Sequence, residues 1–94
     1  MRVRKADSNQ KKLVAQMRKI PGLTVVHTHT VGNGMVDVVC GFRGVNYLFE
    51  IKDPAKPPSA RKLTPDEKKF HDEWTGSVHV IETLEDVLSI LNIA

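Results

Sequence analysis

The chain has 94 residues, 40% of them hydrophobic and 27% charged, with a formal net charge of +3. That size suits one domain spanning residues 1–94 with one hydrophobic core, and leaves no room for a second. No apolar run is long enough to span a membrane, the basic start Met1-Arg2-Val3-Arg4-Lys5 leads into a polar stretch rather than a signal-peptide core, and a lone cysteine, Cys40, has no internal disulfide partner.

In chain order, Asp7 to Lys19 reads as a helix. Leu13, Met17 and Ile20 recur at helical spacing, Val14 widens the stripe, Asp7 or Ser8 caps the start, and Pro21-Gly22 ends it. Leu23 to Thr30 reads as a strand, followed by the turn signal Gly32-Asn33-Gly34. Met35 to Phe42 and Val45 to Lys52 are two further strands joined at Arg43-Gly44. Asp53 to Ala60, with Pro54, Pro57 and Pro58, is a loop. Thr64-Pro65-Asp66-Glu67 starts a second helix with a Thr cap, Pro at the first position and Glu closing a capping box. That helix places Phe70 and Trp74 on one face and stops at Gly76. Val78 to Ile81 is a short strand, and Thr83 to Ile93 is a last helix facing the core with Leu84, Val87, Leu88 and Leu91. The order is α-β-β-β-α-β-α.

Charge is unevenly spread. Arg2, Arg4, Lys5, Lys11, Lys12, Arg18 and Lys19 crowd the first segment, and Lys52, Lys56, Arg61, Lys62, Lys68 and Lys69 the middle, whereas Thr75 onward has acids but no Lys or Arg. Such asymmetry is what a polyanion-binding face requires, although solvated helix faces produce it too.

The hairpin carries the chemistry. If Arg43 and Gly44 form a two-residue turn, Phe42 pairs with Val45, and counting outward sets Asp37 opposite Glu50. Residues opposite one another share a face, and Lys52, two beyond Glu50, shares it as well. Facing carboxylates repel unless a cation stands between them. Mg²⁺ meets that demand with oxygen ligands and retained waters, acidifies water and polarises a phosphoryl oxygen. Lys52 is then placed to stabilise charge on a phosphate, and the Ile51 carbonyl to be a further ligand. The competing reading is a solvent-facing hairpin with an ordinary salt bridge. His27 and His29 share a strand face but lack the further ligands a zinc site needs; His71 and His79 read as structural. Gly32-Asn33-Gly34 leads into a strand, so it is no phosphate-binding loop.

Asp37 with Glu50-Ile51-Lys52 resembles the PD-(D/E)XK nuclease signature, and the chain resembles the virus-type replication-repair nuclease (VRR-NUC) family over nearly its whole length. Asp7-Ser8-Asn9-Gln10 resembles the family's first helix start, Gly34-Met35-Val36-Asp37 its Gly-x-Pro-Asp step, and Glu50-Ile51-Lys52 its Glu-Val-Lys. Ser59 to Pro65, Phe70, Trp74-Thr75-Gly76 and Val80 to Asp86 also fit. The resemblance implies an α/β fold with a restriction-endonuclease-like αβββαβ core, its mixed central sheet flanked by helices, plus a C-terminal helix. It implies a Mg²⁺- or Mn²⁺-dependent endodeoxyribonuclease acting on branched DNA such as four-way junctions, as a homodimer whose two-fold axis presents paired sites. A cytoplasmic setting, in a bacterial cell or a phage-infected host, goes with that activity.

On this reading Asp37, Glu50, the Ile51 carbonyl and Gln10 hold the metal, and Lys52 assists. Gln10 stands where many members carry a glutamate; it serves either as a weaker ligand or as the capping partner of Asp7. Lys56, Arg61, Lys62, Lys68 and Lys69 flank the site and would neutralise phosphates, reading shape rather than base sequence. The alternative is a nuclease-fold module that binds nucleic acid or a protein without cutting.

Overall fold

The computed structural model describes residues 8–93. The expected cap Asp7 and the basic residues Arg2, Arg4 and Lys5 lie outside the described residues. Helix α1 runs Ser8–Met17, strands β1, β2 and β3 run Thr24–His27, Val38–Phe42 and Val45–Ile51, helix α2 runs Pro65–Glu73, strand β4 runs Val78–Ile81, and helix α3 runs Leu84–Leu91. The protein is thus α/β, with a four-stranded mixed sheet in the order β1-β2-β3-β4. Strands β1 to β3 form an antiparallel meander, and β4 returns parallel to β3 after the crossover through α2. No helix among the described residues is long and apolar enough to cross a membrane.

The hairpin register is the one that counting from Arg43-Gly44 gives. Phe42 pairs with Val45 and Val38 with Phe49, so one step further Asp37 meets Glu50. Arg43 and Gly44 both take positive φ, 52° and 79°, as a two-residue turn of the primed type demands. Alternation then sends Val38, Cys40, Phe42, Phe49 and Ile51 into one core with Leu13, Val14 and Met17 of α1 and Val87 and Leu91 of α3. Burial pushes the Cys40 thiol up to about 12, so it is an inert core residue at neutral pH.

Strands β1 and β2 are shorter than the expected Leu23–Thr30 and Met35–Phe42. Gly32, Asn33 and Gly34 all have positive φ, so the chain coils there instead of extending. Thr28 closes the coil: its N–H donates to the Asp37 carbonyl at 2.9 Å and its hydroxyl to the Val36 carbonyl at 2.7 Å. A 3₁₀ turn at Pro58–Ala60 interrupts the proline-rich loop. The capping box of α2 forms as expected between Thr64 and Glu67, and Thr83 and Asp86 make a second one at α3.

Helix α2 is anchored differently from the other two. Its only buried residue is Glu67, and Phe70 and Trp74 stack on each other, ring centroids 5.2 Å apart, rather than entering the core. Gly34 lies directly against its first turn, so that an added methyl would run into the Asp66 carbonyl. Gly34→Ala should therefore cost at least about 2 kcal/mol in urea melts, combining the clash with the φ penalty. Gly32→Ala, with nothing within 4 Å of the new methyl, should lose only the smaller φ penalty.

Candidate active site

Backbone pairing delivers the first two acids. Asp37 precedes β2 and is 3% exposed; its Oδ2 accepts the Ile51 N–H at 2.8 Å, which fixes the carboxylate against the end of β3. Glu50, 1% exposed, is on the sheet face opposite Phe49 and Ile51. The last four residues of β3 are all buried, so both faces of the sheet are covered there. The Lys52 N–H donates to the Ile81 carbonyl at 2.9 Å, and the Asn9 amide donates to the Lys52 carbonyl at 2.9 Å, which brings the start of α1 to the same end.

The third acid comes from α2. Glu67 is 3% exposed, and its Oε1 accepts from the Lys52 ammonium at 2.9 Å and from the Thr64 N–H at 2.9 Å. Lys52 stands farther, 3.8 Å, from Glu50 Oε1. Both Glu50 oxygens are buried and neither accepts a hydrogen bond. As a carboxylate, Glu50 has no donor to accept from; as a neutral acid, its O–H faces the Glu67 and Asp37 carboxylates. Burial, reinforced by those two neighbours, holds its pKa far above the carboxylate range. For Glu67 burial alone would raise the value, but hydrogen bonds from the Glu50 acid, Lys52 and Thr64 outweigh it and leave Glu67 well below. His71, one turn along α2, feels Glu67, Lys52 and Asp72; burial lowers its pKa.

The other expected site residues separate into groups. Gln10 is buried, and its amide nitrogen lies 3.3 Å from His29 Nδ1, so His29 stands beside the helix start rather than as an isolated sheet residue. Ile51 gives its N–H to Asp37 and its side chain to the core. Lys56, Lys62 and Lys69 are exposed. Arg61 is paired with Glu82 at 3.0 Å and Lys68 with Asp72 at 2.9 Å, so those two charges are partly answered within the protein. His79 packs against Tyr47 and Phe49, in keeping with a structural part.

Glu67 is the residue that sequence reasoning missed as a site member. Its capping-box position explained it locally, and nothing in the spacing pointed to Lys52. The Gln10–His29 contact also escaped, because it joins positions distant in the chain.

The donor set is of the kind a hard divalent cation takes: two carboxyl groups side by side at one strand end, Asp37 oriented by the Ile51 N–H and Glu50 with no hydrogen-bond donor on either oxygen. Among the described residues no group of three or more His, Cys, Asp or Glu forms a metal cage. Mg²⁺ needs none, since it takes one or two carboxylates and keeps several waters. No protein-family model, curated protein or solved structure matches this chain.

The Glu50 environment sets a pH dependence. Its folded pKa lies above the ordinary 4.5, so the native state keeps a proton that the unfolded chain releases. That contribution is full below the unfolded value and is lost as pH rises through the window above it, with a slope of at most about 1.4 kcal/mol per pH unit. Glu67 works the other way, losing its contribution as pH falls below the ordinary value. In chelator, Glu50→Gln should thus gain stability over wild type, and the gain should widen from about pH 5 to about pH 8. Parallel stability curves in urea melts across that range would contradict the assigned environment.

Proposed function

We propose that this chain is a Mg²⁺- or Mn²⁺-dependent endodeoxyribonuclease of the VRR-NUC type, built on the αβββαβ core of PD-(D/E)XK nucleases. The observation that carries the proposal is Glu50: an acid 1% exposed, set against the Asp37 and Glu67 carboxyls, with no hydrogen-bond donor on either oxygen and a lysine two residues on. A chain with no use for a cation gains nothing by burying such a group, because an uncompensated acid costs stability. The element order α-β-β-β-α-β-α and the hairpin register between the two acids support the same reading.

In this reading Asp37 and Glu50 hold the cation, with the Ile51 carbonyl and Gln10 as neutral supporting ligands. When bound, the ion supplies Lewis acidity toward a phosphate oxygen and a more acidic water. Asp37 is oriented by the Ile51 N–H, so its ligand geometry is set before binding. Lys52, held at the rim of the cluster, presents its ammonium where negative charge grows on the scissile phosphate. Lys56, Lys62 and Lys69 offer exposed charge to neighbouring phosphates, with Arg61 and Lys68 contributing less because each already has an acid partner. Such contacts favour shape over sequence, which suits branched DNA, and a homodimer would offer paired cuts.

The test is incubation with labelled four-way, flap, splayed and linear DNA in Mg²⁺, Mn²⁺ or EDTA. Wild type should cut at least one branched form with either metal and none in EDTA. Lys52→Ala and Asp37→Asn should each lose at least about 100-fold in rate, the scale of losing one charge-stabilising group, while still binding DNA. If wild type and Lys52→Ala bind but leave every substrate equally intact, the chain is instead a binding module. In binding assays, Lys62→Glu with Lys69→Glu should weaken affinity on all substrates alike and flatten its salt dependence, the signature of lost phosphate contacts.

A further inference from the structure

We propose that Glu67 is a positioning residue that holds the Lys52 ammonium off Glu50 and so keeps Glu50 open to a divalent cation. This rests on the metal-site reading above and adds to it a residue outside the ligand set.

Lys52 has two acids within reach and takes one. Its ammonium is 2.9 Å from Glu67 and 3.8 Å from Glu50, so a movement of about 1 Å separates the observed pairing from one on Glu50. The lysine stem is long and flexible, and nothing in the stem itself selects Glu67 over Glu50. The choice is made by Glu67, whose carboxylate is fixed from its own side. Oε1 accepts the Thr64 N–H at 2.9 Å while the Glu67 N–H donates to Thr64 Oγ1 at 3.3 Å, which ties the acid to the first turn of α2. That turn is pressed against Gly34, three residues before Asp37. Glu67, which also meets the Glu50 side chain, is thus fixed from its own side, and its anchored charge takes the ammonium in preference to Glu50.

Without Glu67, Glu50 and Asp37 are the buried acids left in the cluster, and Glu50, already 3.8 Å from Lys52, would take the ammonium into the place of the cation. A cation would then have to displace an ion pair. A direct ligand role for Glu67 makes a different forecast: its loss would weaken metal binding whether or not Lys52 is present.

The experiment is Mn²⁺ titration by calorimetry, checked by electron paramagnetic resonance of free Mn²⁺, on wild type, E67A, K52A, the K52A/E67A double variant and T64A. E67A should bind Mn²⁺ at least about tenfold more weakly, the scale of one charged hydrogen bond lost to a competitor. K52A should bind as well as wild type or better. The double variant, which removes one charge of each sign, should return to the wild-type affinity. T64A should melt at a lower temperature yet keep the wild-type Mn²⁺ affinity, which separates helix capping from the lysine effect. E67Q and K52A/E67Q, which keep an acceptor for the Thr64 N–H, carry the same comparison if E67A does not fold. Wild-type affinity in E67A and E67Q, or a double variant as weak as E67A, overturns the proposal while leaving the metal site standing. If wild type binds no Mn²⁺, or D37N and E50Q bind it unchanged, the metal-site reading fails and this proposal with it.

Discussion

The Lys52–Glu67 ion pair, 2.9 Å long and largely buried on both sides, is the contact on which the closed end of the sheet depends. Three carboxylates converge there with one ammonium among them. Asp37 is satisfied by a backbone N–H and Glu67 by Lys52 and Thr64, which leaves Glu50 as the acid without a donor. The pair also ties α2 to the sheet, since α2 buries no apolar side chain and Glu67 is its one buried residue. The pair thus couples the charge of the cluster to the docking of the helix.

The rest of the fold makes that arrangement tolerable. On the other sheet face, α1 and α3 cover Val38, Cys40, Phe42, Phe49 and Ile51, all of them buried and two with no exposure. This apolar core holds the β2–β3 register, and the register holds Asp37 against Glu50. A one-residue slip would send Cys40 and Phe49 to the wrong face and separate the acids, so core packing enforces the site geometry. The strain is confined to one end of one hairpin while the stabilising burial lies elsewhere.

How much could be read in the sequence follows the range of each interaction. The element order and the hairpin register were legible, because Arg43-Gly44 and the apolar alternation around it are local signals. The lengths of β1 and β2 were not. The coil at Gly32–Gly34 is closed by Thr28 bonding to Val36 and Asp37 across the loop, which no strand propensity encodes. Glu67 shows the limit most clearly: Thr64-Pro65-Asp66-Glu67 announces a capping box, and the box forms, so the local explanation was correct and concealed the tertiary one. The same carboxylate oxygen serves both Thr64 and Lys52.

Gln10 takes on a different meaning beside this cluster. Read alone, a neutral amide where a family resemblance leads one to expect a glutamate looks like a weakened site. Helix α1 begins against the same strand end, through Asn9 and the Lys52 carbonyl, and Gln10 is buried with His29 beside its amide. Glu67 has already brought a third acid to this end. A glutamate at Gln10 would bring another negative charge toward a group that one ammonium does not balance, where burial and the neighbouring acids already push the Glu50 pKa up. Asn9 joins the start of α1 to that strand end, and the neutral Gln10 beside it adds no charge there. On the nuclease reading proposed above, the acid from α2 and the neutral amide from α1 belong to one charge balance, and Gln10 is intelligible only once Glu67 is counted.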